Sequence, residues 1–455
     1  MEISVAQVSS QTRHLNRCIV LSTLVAAVGG LLFGFDTAVI AGAIRALTTV
    51  FHLSPRSLGW TVASAVWGTV FGALLAGMPG DRFGRRDSLR GLAIIYAASA
   101  IGCAFAWNWN LLITFRFIEG LAIGGSSVLG PMYIAEIAPA KWRGRLVAFF
   151  QFSIVLGILL AYISNWVIRT LNLQAVEWRW MLGISALPAA LFLPLLYVIP
   201  RSPRWLVQQQ RYEEARAVLV RLGEEDVEGA LDSIVAAVAS AKQGTRKLFC
   251  REHQKPILLA VLVAFFNQVS GINAILYYAN HIFERAGFTS LSGDWQSIAI
   301  GATNLSATFL AMTIIDKVGR RTLLLIGSLA MVGWQGACAI LLYTGRFERF
   351  LLIPLIGFIA TFAFSSGAVI WVYISEVFPN SVRAKGQSLG SFTHWITCAV
   401  LSLIFPMLAA SSTWMPFAFF ACMMLVQFIV VLRFFPETKG RTLEELQDQL
   451  GLEKL

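Results

Sequence analysis

Apolar residues run in stretches far longer than a globular core needs, broken by short polar turns that hold most of the arginine. Crossing a bilayer takes roughly 20 helical residues, and stretches of that length recur about twelve times. Six spans are expected near residues 18–45, 57–78, 88–108, 110–137, 147–169 and 180–199. Six more are expected near 255–284, 295–315, 322–343, 350–378, 386–410 and 413–434. Between the two groups lies a polar stretch, 202–247. Its RYEEARAVLVRLG reads as an amphipathic helix beneath the membrane and not as a further span.

The chain repeats itself. GDRFGRR around Asp81 returns as DKVGRR around Asp316, and AEIAPAKWRG around Glu136 returns as SEVFPNSVRAKG around Glu376, at nearly the same offset. Two independent motifs in step predict an all-α membrane protein of twelve transmembrane helices in two six-helix parallel repeats. Such repeats hold the substrate near the midplane between the halves and alternate access by rocking. The halves are expected at 1–200 and 251–436, with a helical linker at 201–250 and a tail at 437–455.

Composition agrees. Of 455 residues, 57% are hydrophobic and 13% charged, against about 25% charged in soluble domains. A net charge of +11 would suit nucleic acid if it were gathered on one domain. It is instead spread over short loops, where the positive-inside rule accounts for it and puts both termini and the linker in the cytoplasm, with the spans in the inner (plasma) membrane. The first span is too long and too glycine-rich for a cleaved signal peptide. The six cysteines include no close pair or CxxC, so neither a disulfide framework nor a metal site is expected. Without a GxxxxGK[ST] loop, an HExxH pair or a nucleophile–base constellation, neither an enzyme nor a cofactor is indicated.

One carboxylate, Asp36, interrupts the first apolar stretch. A charge at that depth costs at least ~2.5 kcal/mol and marks an ion or proton path unless it is a structural ion pair. Gly30 and Gly34 just before it let another helix approach closely. The candidate partner is Arg116 in FRFIEG, with Glu119 beside it. At ~1.5 Å per helical residue, Asp36 lies ~13 Å and Arg116 ~9 Å from the same face, less than one turn apart. A carboxylate pulled toward ionisation by a cation and toward neutrality by burial is a good proton carrier.

The repeated loop motifs offer Asp81, Arg85, Arg86, Glu136 and Arg143 in one half and Asp316, Arg320, Glu376 and Arg383 in the other. They are expected to latch the halves at the cytoplasmic face; the alternative is topology-setting charge, since an exposed pair is worth only ~0–1 kcal/mol. NQVSGINAILYYAN adds Asn267, Gln268, Asn273, Tyr277 and Tyr278, and further candidates are Gln151, Asn304, His394, Trp371 and Trp395. Amides bond hydroxyls while aromatic faces cover C–H surfaces, which suits a neutral polyhydroxyl ligand. Singly, each amide reads equally as an interhelical hydrogen bond and each indole as an interfacial anchor. Gln268 and Asn273 splay by ~140° on a regular helix. They converge only if the helix breaks, and Gly271 between them is where a break is expected.

In their order along the chain, GGLLFGFDTAVI, GDRFGRR, PMYIAEIAPAKWRG, WRWMLG, PRSPRWL, NQVSGINAILYYA, DKVGRR, SEVFPNSVRAKG and PETKGRTLEEL resemble the signatures of the sugar porter family of the major facilitator superfamily. The resemblance covers nearly the whole chain. It implies that Gln151, Gln268, Asn273, Asn304 and Trp371 contact sugar, that Phe33 and Trp395 border the site, and that Tyr277 and Tyr278 help close its outer gate. Asn267 and His394 stand where the family commonly has glutamine or another amide and are kept as candidate sugar contacts. Ala368 stands where a proline is usual before Trp371. Arg201 stands where the family has glutamate, which implies a weaker cytoplasmic latch and a bias toward the inward-open state.

Asp36 matches the acid of the bacterial proton symporters for xylose and glucose, and Arg116 its partner. The animal facilitative glucose carriers look similar elsewhere but lack that acid. The expectation is a proton-coupled symporter importing a neutral hexose or pentose, working as a monomer, with monosaccharide, proton and lipid bilayer as partners and no nucleic acid. A proton-independent sugar uniporter and a non-transporting membrane sugar sensor are the rivals.

Overall fold

The computed structural model describes residues 16–139, 142–243, 248–345, 348–379 and 382–439. Among them, twelve helices are long and apolar enough to cross a membrane. Spans 1 to 6 are Arg17–Val50, Pro55–Leu75, Arg85–Phe105, Trp109–Ile137, Arg143–Thr170 and Gln174–Val198. Spans 7 to 12 are Gln254–Tyr277, Ser292–Ile315, Arg320–Thr344, Leu352–Val377, Lys385–Ser411 and Met415–Phe434. Starts follow local chemistry: the Asn16 side chain accepts from the Ile19 N–H, and Ser54 caps span 2 ahead of Pro55 at its first position.

Two spans are broken, span 7 at the glycine where a break is expected and span 10 at a serine that no motif marks. Span 7 stops at Val269, turns through Gly271 at φ +83°, and resumes at Ile272–Tyr277. Only glycine adopts that left-handed geometry without strain. Span 10 stops at Phe364 and resumes at Ser366, with Ser365 between. Ala368 lies inside the second piece, so this break forms without a proline at that position.

The stretch between the two groups of spans folds as three helices, Pro203–Gln208, Tyr212–Arg221 and Val227–Gln243, around a small core that includes Trp205, Leu206 and Leu219. Trp205 Nε1 donates to the Asp81 carbonyl at 3.0 Å, which docks these helices on the loop between spans 2 and 3. Span 1 packs along span 5, span 2 against span 11, and span 5 against span 8. The first of these contacts is extreme at Gly34, where a Cβ would stand 1.7 Å from the Ile154 carbonyl oxygen.

Candidate functional site

Span 1 carries Asp36 and span 4 carries Arg116 and Glu119, all but sealed from solvent at 4%, 2% and 2% exposed. Arg116 Nη1 donates to Asp36 Oδ1 and, at 3.0 Å, to Glu119 Oε2. The Ser185 hydroxyl of span 6 donates to Glu119 Oε1 at 3.3 Å, and the Cys103 thiol lies 3.8 Å from Oε2. The depth comparison thus brought Asp36 and Arg116 together correctly. It did not anticipate that one guanidinium faces two carboxylates, although Glu119 sits only three residues from Arg116, one helical turn away. With both acids ionised the group carries a net negative charge in a setting where charge is costly. A single bound proton makes it neutral.

The second cluster sits around the span 7 break. Because the helix turns at Gly271, Asn273 Nδ2 reaches Gln268 Oε1 at 3.0 Å, the convergence a regular helix would forbid. Gln268 Nε2 contacts His394 Nε2 at 3.0 Å and Asn267 Oδ1 at 3.1 Å. As the amide nitrogen can only donate, that ring nitrogen of His394 is the acceptor. The Gln268 amide is therefore fully engaged, and a hydroxyl ligand would exchange hydrogen bonds with it instead of rescuing bare polar atoms.

His394 packs between Trp371 and Trp395, at ring separations of 5.1 and 4.8 Å, and Trp395 meets Phe33 of span 1 edge-on at 5.1 Å. Gln151 on span 5 and Asn304 on span 8 carry no side-chain hydrogen bond to the cluster among the described residues. Cys398, which no motif singled out, lies 3.4 Å from Asn273 Nδ2 and 3.8 Å from the Tyr277 hydroxyl.

A small cleft opens beside the charge group, with Phe33 and Tyr277 in its wall. Its lining also includes Thr37, Asp36 and Arg116. Tyr277 is 5% exposed, and the fully buried Tyr278 donates to the Ser402 carbonyl at 2.9 Å. Just beyond these tyrosines the Tyr162 hydroxyl of span 5 donates to the Leu276 carbonyl at 2.7 Å. Arg169 at the end of span 5 pairs with Asp294 of the eighth helix at 2.5 Å and with Glu177 at 3.1 Å. Asn280 donates to the other Asp294 oxygen.

On the face that bears the repeated motifs, Arg85 meets Glu136 at 3.0 Å and Asp81 at 3.3 Å, and Arg320 meets Glu376 at 3.1 Å. The Asp316 side chain lies outside the described residues. Arg143 is exposed, and Arg383 Nε donates to the Phe378 carbonyl at 3.4 Å; no ion pair to an acid is described for either. Arg86 donates to the Ile199 carbonyl at 3.1 Å and to Asp87. Arg201 is not stranded by the missing glutamate, because it pairs with Asp87 at 3.0 Å. Glu437, in the PETKG segment, accepts from the Arg320 and Arg321 N–H groups at 2.9 and 3.1 Å and so caps span 9.

Cys250, Glu252 and His253 converge within 4.8 Å just before span 7. There the His253 ring nitrogen is already shared between the Cys250 thiol and the Leu248 carbonyl.

Twelve spans around a buried charge group and an amide–aromatic cluster define a membrane transporter of the major facilitator fold. A family model described as sugar (and other) transporter matches residues 22–450. The D-xylose-proton symporter of Escherichia coli (strain K12) is 36% identical over 477 residues, covering 96% of each chain. The arabinose-proton symporter of Bacillus subtilis (strain 168) is 36% identical over 442 residues, covering 95% of each. The inward open conformation of the xylose transporter XylE from E. coli superposes with a TM-score of 0.85 at 36% identity, over 95% of this chain and 99% of that one. The chain belongs to the sugar transporter family, whose members are transporters and not enzymes.

Proposed function

We propose that the protein imports a neutral hexose or pentose together with a proton by alternating access. The observation that carries this reading is the group formed by Asp36, Arg116 and Glu119, one cation facing two buried acids, beside a small cleft with Phe33 and Tyr277 in its wall. Gln151, Gln268, Asn273, Asn304, His394 and Trp371 are the proposed sugar contacts, bordered by Phe33 and Trp395, with Cys398 beside them. Tyr277 and Tyr278 form the outer gate. The charge group is neutral when Asp36 holds a proton taken up from outside, which it then loses inside, while Glu119 shares the arginine. Two relatives, a xylose and an arabinose symporter, support a sugar of this size.

The loop motifs act as latches, the motif face is cytoplasmic, and a monomer in the inner membrane is the working unit, in two halves at 1–200 and 251–436. The arginine-rich loops support that orientation. The likeness to an inward open structure supports an inward-facing state for the arrangement described.

The test is uptake of xylose, arabinose, galactose and glucose into proteoliposomes, with and without an imposed pH gradient. One charge moved across 100 mV is worth ~2.3 kcal/mol, enough for roughly 40-fold accumulation of a neutral solute. Asp36→Asn is expected to bring accumulation to unity while sparing exchange. A mutant that still concentrates sugar moves the coupling elsewhere, and a wild type that never does leaves a passive carrier.

A further inference from the structure

The two helix breaks are held by side chains that do not face the cleft, and we infer that Asn267, bracketed by Gln335 and Gln427, is a positioning residue that ties the span 7 break to the span 10 break. The inference rests on the sugar-transport reading above. Asn267 Nδ2 donates to the Ser366 carbonyl, the first of the second piece of span 10, at 3.0 Å. Its Oδ1 accepts from Gln268 Nε2. Both ends of the Asn267 amide are thus held by protein groups, one on each break. On the far side of each break stands another amide: Gln335 of span 9 donates to the Ser270 carbonyl at 3.1 Å, and Gln427 of span 12 donates to the Ser366 hydroxyl at 3.4 Å. All of these groups are buried, with Asn267 at 3%, Gln335 at 0% and Gln427 at 1% exposed.

A backbone group freed by a break inside the membrane must find a partner within the protein; Gln335 supplies one to the Ser270 carbonyl, while Asn267 and Gln427 hold the first residue of the second piece of span 10. Gln335 and Gln427 also keep their Oε1 atoms buried without a described partner, as groups that change partners between two states would. Asn267 is the link that matters for transport. A sugar hydroxyl that takes the Gln268 Nε2–H removes the donor from Asn267 Oδ1. The Asn267 amide is then free to turn, and its grip on Ser366 changes with it. Occupancy of the sugar cluster is thereby felt at the bend of span 10.

The experiment compares Asn267→Ala and Gln335→Met with wild type in two measurements. The first is equilibrium sugar affinity against the exchange rate at saturating sugar. Affinity is expected to stay within about 3-fold while exchange falls about 10-fold, the scale of one lost buried hydrogen bond. The second is hydrogen–deuterium exchange of the peptides spanning 362–372 and 266–276, which needs no sugar. Uptake is expected to rise in both peptides for Asn267→Ala and mainly in the second for Gln335→Met. An Asn267→Ala carrier that loses sugar affinity about 10-fold but turns over normally at saturation makes Asn267 a sugar ligand and overturns the proposal. Unchanged deuterium uptake at both breaks overturns it as well. A wild type that binds no sugar counts against the transport reading alone, and the exchange of the two breaks then decides this one.

Discussion

On the face opposite the motif loops, Arg169 of span 5 grips Asp294 at the start of the eighth helix, and Tyr162 of span 5 holds the Leu276 carbonyl of span 7. On the motif face, Arg85 grips Glu136 and Arg320 grips Glu376. The first set of bonds joins the first six spans to the last six. The ion pairs described in the second set stay within one group of six. Both faces thus use arginine and carboxylate, but on one they join the two groups of six spans and on the other they brace each group within itself. Glu136 and Glu376 each keep a buried oxygen without a described partner, as does Nη2 of Arg383. Those spare groups are what a latch across the motif face would draw on when the opposite face opens.

Removing Arg169 should disturb this comparison most. Asp294 is 1% exposed, and stripping a buried acid of its cation typically costs ~3–5 kcal/mol. Arg169→Ala is expected to open the opposite face, seen as at least ~10-fold faster modification of Cys398 by an impermeant thiol reagent applied from that side, scored by peptide mapping. Unaltered labelling would mean the pair is no lock.

A smaller effect is expected from Glu376→Gln on the motif face. Its side chain is 26% exposed beside Arg320, so the loss should be about 1 kcal/mol, slowing sugar exchange ~3-fold with little change in Cys398 labelling. Labelling that rises as it does for Arg169→Ala would abolish the distinction between the faces.

Arg201→Glu should do least. Arg201 and Asp87 are 31% and 23% exposed, and Asp87 retains Arg86 and Arg90, so a change within ~1 kcal/mol is expected. The direction is informative: greater protection of the motif-side cavity from thiol reagents would mean the introduced glutamate captures loop arginines.

What could be read from the sequence follows from how local each cause is. The spans, the linker helices and the break at Gly271 are set by residues adjacent in the chain. The Asp36–Arg116 pair was legible because helical rise converts residue counts into depth. Glu119 was visible but its share of the arginine was not, since that depends on the rotamer chosen one turn along span 4. The Ser365 break carries no proline at position 368, and its supports come from Asn267 and Gln427, far away in sequence. Arg169 looked like one loop charge among many because Asp294 is 125 residues away. The amide of Asn267 reads as a sugar ligand by position, yet its direction is fixed by a break that position alone does not describe.

At Gly34 the backbone of span 5 rests on the backbone of span 1 with no room for even a methyl group. Asp36 lies half a turn further along span 1, and Gln151 less than one turn back along span 5. The spacing between Asp36 and Gln151 is therefore set by main chain, which does not swing as side chains do. Gly34→Ala would force spans 1 and 5 apart and so move Asp36 relative to Gln151, although it touches neither side chain.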